Sequence, residues 1–363
     1  MWLLSTKTAR LKYFRRPEDV PGGYVILSHT WRRPEKGEGD EDTFQQVQDP
    51  ARVSAPRPRD GLSSKMRAFL EQAEESGFKW AWADTCCIDK TSSAELSETI
   101  TSMFRYYALA SVCVAYLADV GPGDPLADFE LERAFAASRW HKRGWTLQEL
   151  VAPRVVVFMA WDWTPLGTKY ELAPLLCQAT GVPDAVLRFK KDVSDMSVAE
   201  RMSWAAERET TRVEDEAYCL FGLFGISMPP LYGEGRNAFY RLQEEIMKTL
   251  PDGSLLAWGS INSERVLDES WKVDNSPSTN TSGYLLASSP RVFLPVRGAT
   301  LGRGVVISSP NASASNMSSL DDFVLIEVSL HLELHCIHVR RASLRRNYPS
   351  RRSSSDTHAR SRK

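Results

Sequence analysis

The chain has 363 residues, 42% of them hydrophobic and 25% charged, with a formal net charge of -1. This is an ordinary globular composition, which excludes a fibrous or wholly disordered chain and leaves room for one large domain or two. A charge so close to neutral gives no global electrostatic reason to bind nucleic acid or an anionic membrane.

The apolar run at the start, Trp2 to Leu4, is far shorter than a signal-peptide core. No later stretch approaches the roughly 18 apolar residues of a membrane span. The six cysteines, Cys86, Cys87, Cys113, Cys177, Cys219 and Cys336, show neither paired CxxC spacing nor the density of a secreted scaffold. A reducing compartment and a cytoplasmic protein are expected.

In chain order, Tyr24 to Leu27 reads as a buried strand after the Pro21-Gly22-Gly23 turn. Residues 32–60, rich in Pro, Gly, Glu and Arg, read as a long solvated insertion. Leu62, Met66, Phe69, Leu70 and Ala73 recur at helical spacing until Gly77 caps the end. Phe78 to Ala83 is a second strand, followed by a capping box of Ser92 and Glu95 and a helix with Leu96, Ile100, Met103, Phe104 and Tyr107 inward. A third strand, Val112 to Leu117, precedes the segment Gly144 to Leu150, which Pro153 stops before a fourth strand, Val155 to Met159. Strands alternating with helices predict parallel crossovers, hence an α/β sheet covered by helices.

Residues 1–164 form this α/β core. A helical section is expected at 165–250, with a capping box of Ser197 and Glu200, and a small β-rich part at 251–339. From Arg340 onward Arg and Lys among Ser and Thr give a basic tail, 340–363, without the apolar residues that would offset the cost of ordering it.

In an open parallel sheet a ligand sits beyond the carboxyl ends of the strands. Ser28, His29 and Trp31 follow the first strand, Asp84 and Asp89 follow the second, and Arg143, Trp145 and Glu149 lie between the third and fourth. All three clusters are therefore expected on one edge, as one polar site. A carboxylate there could stabilise a developing positive charge or position water or a hydroxyl, and the rings could stack on a planar ligand. Plainer readings stand beside these. Glu149 could be a solvated or ion-paired helical residue, His29 a hydrogen-bonded strand-end histidine, and Asp84 and Asp89 caps of the loop and the next helix. A nucleophile at Cys86 or Cys87, with His29 as base, has no oxyanion-hole signature to accompany it. His29, His141, His331, His335, His338 and His358 show no metal-ligand pattern near that cysteine pair, and neither a GxxxxGK[ST] nor a GxGxxG loop is present.

At these motifs the chain resembles the fungal heterokaryon incompatibility (HET) domain family. The resemblance rests on Leu3 to Thr8, Tyr24 to Trp31, Trp82 to Asp89, Arg143 to Leu150, Arg208 to Tyr218 and Leu231 to Gly235, in order over roughly residues 1–260. It implies an effector of programmed cell death in non-self recognition, with a protein partner. The order of elements is also similar to that of Toll/interleukin-1 receptor (TIR) domains, which implies a flavodoxin-like parallel sheet. In NAD-cleaving TIR domains the glutamate of a Trp-x-x-x-Glu-Leu segment is catalytic, and it falls on Glu149. The resemblance thus implies Glu149 and Asp84 as catalytic residues, with Ser28, His29, Trp31, Asp89, Arg143 and Trp145 around the ligand. NAD+ enters as substrate rather than cofactor, and self-association completes the site. The alternative is a non-catalytic interaction and oligomerisation module that recruits a death partner.

Overall fold

The computed structural model describes residues 1–32, 37, 39–256 and 286–293, and the backbone of strands 326–330 and 337–341. The basic tail expected at 340–363, apart from the backbone of Arg340 and Arg341, and most of the β-rich part expected at 251–339 lie outside the described residues.

The sheet has seven strands: β1 (Trp2–Ser5), β2 (Leu11–Tyr13), β3 (Val25–His29), β4 (Trp80–Trp82), β5 (Val112–Tyr116), β6 (Val156–Met159) and β7 (Pro165–Thr168). Their spatial order is β2-β1-β4-β3-β5-β6-β7. The four inner strands are parallel, so their carboxyl ends share one edge. The sheet as a whole is mixed, because β1, β2 and β7 add in antiparallel sense. The sequence reading did not foresee these three. Each is only three or four residues long, and β7 opens with Pro165, which lacks a donor for the ladder and belongs at an edge.

All five residues of β3 are buried, as expected of a central strand covered on both faces. The helices do the covering. Short α1 (Phe44–Gln48) and α2 (Pro50–Val53) lie within the stretch expected to be wholly solvated. Phe44 and Val47 are buried, so this stretch contributes to packing, and Thr43 forms a capping box with Gln46. Next come α3 (Ser64–Glu75), α4 (Ser93–Leu109) and α5 (Phe129–Ala137). Ser92 accepts from the Glu95 amide, but the Glu95 carboxylate turns to the Asp89 amide, so only half of the expected box forms. The segment at 146–151 is α6 (Thr146–Val151), buried along its whole length.

After β7 come α7 (Ala173–Thr180), α8 (Asp184–Leu187), α9 (Val198–Ser203), α10 (Asp215–Tyr218), α11 (Phe221–Phe224) and α12 (Asn237–Thr249). At α9 the box of Ser197 and Glu200 is complete. The segment 286–293 docks here: the Gln243 amide both donates to and accepts from the Ala287 backbone, each at 2.8 Å. A hairpin of β8 (Ile326–Leu330) and β9 (Ile337–Arg341) belongs to a separate unit, 306–363. Among the described residues no helix is long and apolar enough to cross a membrane.

Candidate functional site

Strand register decides what shares the rim. Side chains alternate between faces along a strand, so Ser28 and His29 point to opposite sides of the sheet. Ser28 pairs with Ala115 of β5, two residues from Cys113, and His29 pairs with Tyr116. On the Ser28 face the Cys113 thiol lies 3.8 Å from the Glu149 carbonyl. On the His29 face Tyr116 stacks on Trp163, and Trp163 on Phe69 of α3. The expected site is therefore divided between the two faces of the strand end, and Asp84 and Arg143 act on both, on Glu149 of one and on His29 of the other.

The Ser28 half is dry and closed. The Ser28 hydroxyl donates to Glu149 Oε2 at 2.5 Å and accepts from the indole N–H of Trp140 at 2.9 Å. Glu149 is only 6% exposed. Burial pushes its carboxyl up to about 8, with Asp84 adding to the rise while Ser28, Arg143 and Tyr107 oppose it. Tyr107 also ties α4 to the sheet, its hydroxyl donating to the Leu27 carbonyl at 2.9 Å.

The start of α6 is held by long-range contacts. The Gly144 amide donates to the Glu209 carbonyl at 2.8 Å, and a Cβ on Gly144 would come within 2.5 Å of the Thr210 methyl, so this approach needs glycine. Arg208, buried, donates from Nη1 to the Arg143 carbonyl at 2.9 Å and to the Thr146 hydroxyl at 3.0 Å. Burial lowers its guanidinium to about 10, which Cys219 and Glu149 partly offset.

The His29 half is charged. His29 Nε2 lies 3.8 Å from Asp84 Oδ1 and 3.9 Å from Glu41 Oε1, too far for hydrogen bonds, and neither ring nitrogen has a partner. Burial drives its pKa well down, helped by Lys65, Arg143, Lys90 and Arg32, so the ring is neutral. Glu41 accepts from the buried Lys65 ammonium at 2.5 Å and from the Arg32 amide at 2.6 Å. Asp84 accepts from the Trp31 indole N–H at 2.8 Å, and the Trp31 ring carries the Lys90 ammonium at 4.0 Å and the Arg143 guanidinium at 4.9 Å from its centroid.

Two expected site residues serve elsewhere. The Asp89 carboxylate is taken by the Thr91 amide and hydroxyl and by the Gln45 side chain, a turn-stabilising role whose bonds, those from Thr91 first, hold its pKa down. Trp145 packs half-buried against the core, its indole directed to Asp215. Asp215 also accepts from the Tyr232 hydroxyl at 2.9 Å, which ties α10 to the 231–235 turn. Cys86 and Cys87 are buried, and the Cys86 thiol is pushed well up by its bond with Cys87 and by burial, the opposite of an activated nucleophile. Sequence reasoning missed Trp140, Tyr107, Arg208, Glu41 and Lys65. Arg208 had a signal, as the first residue of its motif, and Tyr107 was legible only as an inward residue of its helix. Among the described residues no three His, Cys, Asp or Glu side chains converge as metal ligands. Cavities of about 10 and 20 Å3 lie beside Arg208 and beside Met1, and neither is lined by Glu149.

Residues 24–128 match the family model of the heterokaryon incompatibility protein (HET), and residues 237–314 match a domain of unknown function, DUF8212. The chain is 42% identical over 248 residues to the vegetative incompatibility protein HET-E-1 of Podospora anserina, which covers 66% of this chain and 17% of that protein. No solved structure matches the chain. The strand end bearing Ser28, His29 and Trp31, the Asp84 turn and α4 all fall within the matched span, so it is residues 24–128 of this chain that are similar to the HET family.

Proposed function

We propose that this chain acts in the cytoplasm as an effector of heterokaryon incompatibility that promotes programmed cell death after a protein partner signals non-self. Its chemistry is hydrolysis of NAD+ on a TIR-like core, with Glu149 as the catalytic carboxyl. The role is supported by the match over residues 24–128 and by the 42% identity to the Podospora anserina vegetative incompatibility protein. The chemistry rests on one observation: a carboxyl 6% exposed, held by a serine hydroxyl one residue short of the carboxyl end of β3, with its pKa near 8.

In the reaction the nicotinamide leaves with the electron pair of its bond to the ribose, the ribose carbon becomes oxocarbenium-like, and water adds there with release of a proton. In the closed state Glu149 holds its own proton. A cationic nicotinamide ring beside it favours loss of that proton to solvent as the substrate enters, and the ionised carboxylate then stabilises the developing positive charge. Asp84, fixed by Trp31, orients the water or a ribose hydroxyl, and His29 and Arg143 support it. Because Glu149 is enclosed, substrate entry requires the rim to open, and self-association supplies that opening.

That enclosure also favours a second reading, a non-catalytic module whose rim binds a partner. Incubating concentrated protein with NAD+ and following nicotinamide release separates the two. The hydrolase reading expects release that Glu149→Gln abolishes with no loss of folded protein. Intact NAD+ together with cell death that survives Glu149→Gln would replace it with the interaction module.

A further inference from the structure

The charged half of the rim holds two cations without a direct ion pair. Lys90 and Arg143 have no ion-pair partner among the described residues and are both fixed by the ring of Trp31, at 4.0 and 4.9 Å. An indole holds a cation through its quadrupole and leaves the charge free, whereas a carboxylate would cancel it. Trp31 is itself anchored by its bond to Asp84. The two cations are therefore held in place yet available, half-buried at Arg143 and exposed at Lys90. Behind them His29 is fully enclosed with both ring nitrogens unpartnered. Among the described residues Lys65, Arg143, Lys90 and Arg32 act on it, with Glu41 and Asp84 of opposite sign beside it and Glu41 already paired with Lys65. A buried polar ring left without partners among excess positive charge is the signature of a site shaped for an anion.

We infer that Lys90 and Arg143, mounted on Trp31, form a subsite for the diphosphate of a nucleotide. Two cations held by one ring suit the two charged groups of a diphosphate, and the planar guanidinium of Arg143 adds bidentate geometry. A nucleic acid fits less well, because the chain as a whole has a net charge of -1 and the cations form a point rather than a stripe. The inference deepens the nucleotide-hydrolase reading and rests on it for the identity of the ligand.

The test is calorimetric titration of the full chain with ADP-ribose and with inorganic pyrophosphate, neither of which contains the bond to be cleaved. Wild-type protein should bind both, more weakly as salt rises. Lys90→Gln and Arg143→Gln should each weaken binding about tenfold, the loss of one charged hydrogen-bonding partner. Arg143→Lys, which keeps the charge, should recover part of the loss. Lys142→Gln, at an exposed lysine paired with Glu207, should change nothing. Thermal melting of each variant verifies folding, and Arg143→Lys serves as the folded comparison if Arg143→Gln melts early. Equal affinity of wild type and the Lys90→Gln, Arg143→Gln double variant, or no binding of pyrophosphate by wild type, overturns the subsite. Dependence of binding on Lys90 and Arg143 without any nicotinamide release would sink the hydrolase and leave the subsite standing. Nicotinamide release with KM unchanged in both variants would sink the subsite alone.

Discussion

Two adjacent residues of one strand, Ser28 and His29, open onto opposite kinds of environment. Ser28 sits in a dry, saturated network: its hydroxyl donates to Glu149 and accepts from Trp140, and the acid it holds is neutral. His29 sits among charges and binds none of them. A saturated network of neutral partners is what a fold uses to fix geometry, while uncompensated charge costs stability unless a ligand relieves it. The contrast predicts that the first half carries stability and the second carries recognition, with opposite responses to pH.

The largest effect belongs to Glu149. Its folded pKa is about 8 against an ordinary 4.5, so below 4.5 both folded and unfolded chains keep the proton and it costs nothing. As pH rises from 4.5 towards 8 only the unfolded chain releases it, and stability falls. The fall approaches about 5 kcal/mol, an order-of-magnitude figure. Glu149→Gln, isosteric with the neutral acid, should therefore be more stable than wild type at pH 8 and converge with it near pH 4.5, as read by urea midpoints across that range. A pH-independent difference would mean that the carboxyl is ionised in the folded chain and the dry half wrongly described. Next in size is Ser28→Ala, which leaves the Trp140 N–H and a carboxyl oxygen buried without partners and should cost about 2 kcal/mol at neutral pH.

The two halves were not equally legible in the sequence. The strand ends could be read because an apolar β-favouring run stops abruptly at polar residues, and the box of Ser197 and Glu200 because its partners are three residues apart. The partnerships that separate the halves could not. Ser28 and Trp140 are 112 residues apart, and Lys65 pairs across 24 residues with Glu41, which sits on a stretch that composition marks as solvated. No local periodicity encodes a pairing set by which face a crossover helix covers. The one-rim expectation overlooked the strand's own period of two, which sends Ser28 and His29 apart even though their loops converge.

His29→Leu sharpens the other half. The ring has no hydrogen bond to lose, so an apolar side chain of similar size should change stability at pH 8 by less than about 1.5 kcal/mol. The acid limb should differ more. The folded-state pKa of His29 is depressed below the ordinary 6.5, so wild type loses stability as pH falls through that value, when only the unfolded chain takes up the proton. The variant should show a flatter acid limb. His141, buried neutral with its pKa lowered to about 3, keeps part of the slope in both proteins. A large neutral-pH loss in His29→Leu would show that the ring is a structural keystone, and the division between the halves would fail.

The smallest effect is expected at Asp89, the acid that the resemblance places in the site and the structure places in a turn. Its carboxylate is accounted for by Thr91 and Gln45, and its pKa is held down mainly by those neutral donors rather than by a cation of the rim. Asp89→Ala should lower Tm slightly by loosening the entry to α4 and leave pyrophosphate binding and nicotinamide release as in wild type. Asp84→Ala removes the anchor of Trp31, and with it the ring on which Lys90 and Arg143 rest, so it should impair both readouts. Two aspartates five residues apart thus divide by partner: one is spent on backbone and hydroxyl donors, the other holds the platform for two cations. If the two variants behaved alike, the charge on the 84–89 loop as a whole would matter and the platform would not.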